Sequence, residues 1–129
     1  MLEIGNGIDS GMYRVNFITT EQKDDLIVSF AVAAGDFPGD ILSLTLLRTP
    51  KYEFILDPDE RGVSVSWEED EDESELLLAV ERSRDVVKLN TTRREFTLDV
   101  SHVDDDDLSR MRKVLQKMNF DKAIRLIGL

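Results

Sequence analysis

The sequence predicts an α+β fold, mainly antiparallel β: a meander of seven to eight short strands closed by a C-terminal amphipathic helix. Three observations carry this. Apolar residues alternate with polar ones through most of residues 12–100, the period of a half-buried strand. Turn residues interrupt that alternation at close intervals. After Ser101 the period lengthens to that of a helix.

The elements follow in order. Tyr13, Val15 and Phe17 alternate with Arg14 and Asn16, and Leu26, Val28, Phe30 and Val32 form the next strand. Gly35 to Asp40 reads GDFPGD, a turn, and Leu42, Leu44 and Leu46 resume the alternation. After the break at Thr49-Pro50-Lys51, Tyr52, Phe54 and Leu56 predict a strand. Asp57 to Gly62, DPDERG, predicts a hairpin loop, with Val63, Val65 and Trp67 on the return strand and facing the core. Leu76, Leu78 and Val80 predict a further strand. Arg82 to Asp85 predicts a turn, Val87 and Leu89 a short strand, and Phe96, Leu98 and Val100 the last.

The helix is expected over about 105–119. Leu108, Met111, Leu115 and Met118, with Val114 beside them, form one apolar stripe. Asp104 to Asp107 precede it and Arg110, Arg112, Lys113 and Lys117 follow, the charge order that a helix dipole favours. Asp104 or Asp105 is the expected N-cap. Residues 121–127 either extend this helix or form a second short segment. Burying the stripe is worth several kcal/mol, at roughly 1.5–3 kcal/mol per large side chain. One helix cannot cover every strand, so the sheet is expected to curl toward a half-barrel or sandwich. Ala31, Leu47, Ile55 and Leu77 fall on the nominally outer face. They mark either strands buried on both sides or a self-association surface.

At 129 residues the chain is expected to be a single domain, and it is long enough to build a core without disulfides. It contains no cysteine, which excludes disulfides, zinc–thiolate and iron–sulfur sites and cysteine nucleophiles. The opening MLEIGNGIDS has neither a basic nor an apolar signal region, and no apolar run approaches membrane-spanning length. A cytoplasmic location without membrane association is the resulting expectation. Asn90-Thr91-Thr92 matches a glycosylation acceptor that such a location leaves unused.

Charge is the most informative property. The net charge is −11, and it is unevenly divided. Residues 1–109 carry 10 Lys/Arg against 26 Asp/Glu, whereas residues 110–129 carry 6 against 1. Seven of the eight residues from Glu68 to Glu75 are acidic. This balance argues against nucleic acid as a partner and favours fast encounter with a basic protein. The candidate contact residues are Glu68, Glu69, Asp70, Glu71, Asp72, Glu73 and Glu75, read as a protruding solvated hairpin loop. Asp59 and Glu60, with Asp57, join them if the fold brings the two acidic segments together.

Catalytic and metal motifs fail on inspection. Asp57, Asp59, Gly62 and Glu68 come near a calcium-loop spacing, but Arg61 occupies a ligand position and the flanks read as strands. Asp104 to Asp107 are explained by helix capping. His102 is the only histidine, and its neighbours Asp99, Ser101 and Asp104 form no recognisable catalytic pattern. Gly5-Asn6-Gly7 lacks the context of a dinucleotide site. No cofactor or metal is therefore expected, and no catalytic residue is assigned.

The order of elements, a strand meander followed by HVDDDDLSRMRKVLQKM as a closing helix in a small acidic chain, resembles immunity proteins of bacterial polymorphic-toxin systems. The resemblance lies in the pattern from about Arg61 to Phe120. It implies inhibition by binding, with an acidic surface set against a basic toxin domain, and it assigns no individual residue. The leading expectation is a non-enzymatic protein-binding domain with a basic partner. The alternatives are a self-associating structural or chaperone-like module built on Leu47, Ile55 and Leu77, and a carboxylate- or metal-dependent hydrolase.

Overall fold

The computed structural model describes residues 12–34, 39–70 and 74–129. The segments Gly5–Gly7, Gly35–Pro38 and Glu71–Glu73, on which some of the expectations above fall, lie outside them. The described chain forms β1 (Met12–Gln22), β2 (Leu26–Ala33), β3 (Ile41–Arg48), β4 (Ser64–Trp67), β5 (Leu77–Ser83), β6 (Val86–Thr91), β7 (Glu95–Asp99), α1 (Asp105–Met118) and β8 (Arg125–Ile127).

The strands make one eight-stranded sheet in the order β4-β3-β2-β1-β7-β6-β5-β8. This is two antiparallel meanders rather than one. β1 to β4 form the first and β5 to β7 the second, joined by a parallel pairing of β1 with β7. β8 adds to β5, also in parallel. The sheet does not close but curls strongly. Trp67 on β4 and Phe96 on β7 lie 5.9 Å apart between ring centres, and Tyr13 on β1 lies 5.4 Å from Trp67. The Leu77 N–H donates to the Val63 carbonyl at 2.8 Å and the Val65 N–H to the Glu75 carbonyl at 2.9 Å. The start of β5 is thereby tied to β4 across the mouth of the curl.

Helix α1 plugs the curl. Leu108, Met111, Val114, Leu115 and Met118 are all buried, against β1 and β2 in particular. Asp104 holds the N-cap position with extended backbone, and its side chain makes no capping bond. Past the helix, Asn119 clamps Ile124 from both sides: its Nδ2 donates to the Ile124 carbonyl and its Oδ1 accepts the Ile124 N–H, each at 2.9 Å. That clamp turns residues 121–124 back toward β5, so 125–127 form a strand instead of extending the helix. Gly128 (φ +76) then passes so close to the Arg82 carbonyl oxygen that a Cβ would overlap it.

Two β-bulges correct the predicted facing. In β1 the pairing with β2 slips between Val15 and Phe17. Val15 and Ile18 point inward, Phe17 is exposed, and Ala31, expected outside, is buried. In β5 the pairing with β6 slips between Leu77 and Ala79. Leu77 is 3% exposed and Leu78 49%, the reverse of the predicted alternation. One extra residue moves every later side chain to the other face, so parity does not carry across a bulge. Leu77 is therefore removed from any self-association surface.

The predicted strand Tyr52–Leu56 is a 3-10 turn, Pro50–Ile55, with no buried residue. Pro50 fixes a helical φ and lacks the N–H that a strand would use. The neighbouring edge of β3 is already taken by β4. Asp57–Gly62 is likewise no simple hairpin loop: Pro58–Glu60 forms a second 3-10 turn, in which Glu60 Oε1 accepts the Asp57 N–H at 3.1 Å.

Candidate binding surface

The structure sorts the acidic candidates into two groups. Glu68 and Glu69 occupy an exposed tight turn after β4, where Glu68 Oε1 accepts the Ser43 N–H at 2.8 Å. Asp57, Asp59 and Glu60 are exposed on the second 3-10 turn, before β4. These five carboxylates make no ion pair among the described residues. The two groups sit at opposite ends of β4 rather than together.

Asp70 and Glu75 are engaged internally. Asp70 Oδ2 lies 3.3 Å from Arg94 Nη1 and 3.4 Å from Arg93 Nη2. Glu75 is 2% exposed, contrary to its expected place on a solvated loop. Arg94 grips it at both oxygens, and the Thr91 hydroxyl donates to Oε2. Burial alone would raise the Glu75 pKa. The hydrogen bonds from Arg94 and Thr91 and the charges of Arg94 and Arg93 outweigh it, so the carboxylate is held below its usual range. A buried carboxylate needs such partners, and two consecutive arginines on the β6–β7 turn supply them. Glu75 is thus a fastening between β5 and that turn, not a contact residue.

A second ionic cluster was not anticipated. Arg48 is 2% exposed at the inner end of β3. Its guanidinium donates to Glu53 at 2.7 and 3.0 Å, to Asp121 at 2.7 and 3.0 Å, and to the Met118 carbonyl at 2.8 Å. The Phe120 ring stacks on it at 4.1 Å. Burial would lower its pKa, but the bonds and charges of Asp121 and Glu53 prevail and keep it protonated. The same contact with Arg48 holds the Asp121 carboxyl below its ordinary value. The sequence signal was available: Arg48 continues the inward parity of Leu42, Leu44 and Leu46.

This cluster locks the first 3-10 turn to the end of α1. Thr49 Oγ1 adds a bond to Asp25 at 2.7 Å, and Arg61 folds back onto the Leu56 carbonyl at 3.0 and 3.2 Å. So pinned, the turn presents its apolar side chains to solvent: Phe54 is 75% and Ile55 70% exposed, with Tyr52, Leu56 and Leu47 also exposed. Between the turn, the end of β3 and the start of β4 lies a groove of about 220 Å³, lined by Leu47, Tyr52, Ile55, Leu56, Glu60 and Ser64 among others.

His102 is exposed, and the neighbouring Asp99 carboxyl is held below its ordinary range, first by the Ser101 hydroxyl and then by the Ser101 N–H, which it accepts at 2.9 Å. Among the described residues no group of three or more His, Asp or Glu side chains is placed to hold a metal ion. No helix among them is long and apolar enough to cross a membrane. No protein-family model matches the chain, and neither a curated protein nor a solved structure does.

Proposed function

We propose that this chain is a non-enzymatic protein-binding domain that meets a basic partner through its acidic surface, in the manner of an immunity-type inhibitor. The observation that carries the reading is the set of exposed carboxylates, Asp57, Asp59, Glu60, Glu68 and Glu69, which have no ion-pair partner among the described residues, on a chain of net charge −11. Unpaired surface carboxylates attract a cationic partner at long range, which raises association rate and specificity more than affinity.

The test is capture of partners on the immobilised chain at low and high salt, beside a variant with these five residues reversed to lysine. The reading expects one stoichiometric basic protein, released by salt and lost in the variant. Capture that ignores the reversal refutes it.

Self-association is the second reading, favoured by the exposure of Leu47 and Ile55 on one groove. Sedimentation at two concentrations separates the two readings, because a strict monomer removes the support for this one.

A further inference from the structure

We propose that the groove beside the first 3-10 turn is the anchor subsite for that basic partner, taking one large apolar side chain flanked by lysine or arginine. This rests on the function proposed above and adds the chemistry of the contact. The walls are apolar, formed by Leu47, Tyr52, Ile55 and Leu56. They are held before any partner arrives, because Arg48 ties the turn to Asp121 and Met118. A preformed pocket spares the ordering cost of binding, and buried apolar anchors carry most of the energy in protein interfaces.

Charge selects the occupant. Glu60 lines the groove, and Asp57 and Asp59 stand on the same exposed turn. Among the described residues two nearby cations are paired with carboxylates, Arg48 with Glu53 and Asp121 and Lys51 with Asp24 at 3.5 Å; Arg61 bonds the neutral Leu56 carbonyl and keeps its charge, but Asp57, Asp59 and Glu60 outnumber it. The rim therefore favours cations beside the anchor. It disfavours phosphate-bearing partners, and it disfavours a second copy of a chain that carries the same −11.

The experiment is an NMR titration of the full chain with three synthetic peptides: Lys-Lys-Phe-Leu-Lys-Lys, Lys-Lys-Ser-Ser-Lys-Lys and Glu-Glu-Phe-Leu-Glu-Glu. The first should move the amide signals of Leu47, Ile55 and Leu56 and bind about tenfold more tightly than the second, the gain expected from seating one large apolar side chain. Ile55→Ser, at an exposed position, should erase that gain while leaving the serine peptide unchanged. Equal binding of the two basic peptides, with shifts confined to Glu68 and Glu69, overturns the anchor and leaves the acidic-surface reading standing. Equal binding of the acidic peptide overturns the role of the rim. Movement of the same signals on dilution, without peptide, makes a second copy the occupant and overturns the proposal. Binding of neither basic peptide overturns the anchor and counts against the acidic surface as well.

Discussion

Glu75 and Arg94 form a two-point ion pair, with Arg94 Nη2 2.9 Å from Oε1 and Nε 3.1 Å from Oε2. It joins the last residue of the acidic run to the turn between β6 and β7, in a place where the carboxylate has lost its water. The pair explains how so acidic a stretch can re-enter a core: its last charge is neutralised at the point of entry.

A pH dependence follows. In the fold Glu75 titrates below its ordinary value of 4.5, whereas in the unfolded chain it titrates at that value. Its contribution is complete above pH 4.5 and is lost as pH falls through the folded value. Glu75→Gln should cost about 1–3 kcal/mol near neutral pH. The gap between variant and wild type should narrow as pH falls below 4.5. Urea unfolding followed by the fluorescence of Trp67, the single tryptophan, measures both. A gap that does not change with pH contradicts the assignment.

Arg48→Ala should be among the most damaging single changes, at about 3–5 kcal/mol, because it strands Glu53 in a poorly hydrated site. Asp121 is more exposed and can recover water. The double variant Arg48→Met with Glu53→Gln should therefore regain much of the loss. Chemical denaturation of the two variants checks this, and a double variant no better than the single would place the cost elsewhere.

The bulge in β5 is testable side chain by side chain. Leu77→Ala should cost about 2–5 kcal/mol as a core truncation, and Leu78→Ala less than about 0.5 kcal/mol. Equal costs would mean that the strand keeps simple alternation.

Gly128→Ala should loosen β8 from β5, since the residue combines a positive φ with contact against the Arg82 backbone. The loss should exceed about 1 kcal/mol. Faster amide exchange at Leu126 and Ile127, with the helix unaffected, is the expected signature.

Addition of millimolar Ca²⁺, Mg²⁺ or Mn²⁺ should leave the melting temperature unchanged, because a ligand that binds the native state raises it. A clear rise would revive the metal-dependent hydrolase alternative.

The helix, most strand positions and the division of charge were legible in the sequence, because each is set by near neighbours. The stripe from Leu108 to Met118 recurs at helical spacing, and Val65 and Trp67 alternate within a single uninterrupted strand, continuing the inward parity of Val63 just before it. The carboxylates that remain exposed were legible for the same reason. Tertiary structure decided the rest. Whether Glu75 faces solvent depends on Arg94, nineteen residues away in sequence, and whether Arg48 is tolerated inside depends on Asp121, seventy-three residues away. The bulges at Asn16 and in β5 arise in the register each strand takes against its partner, and the parallel joins β1–β7 and β5–β8 from pairing between distant segments. A periodic pattern records which residues prefer to be buried. It does not record which strand, or which countercharge, will arrive to bury them.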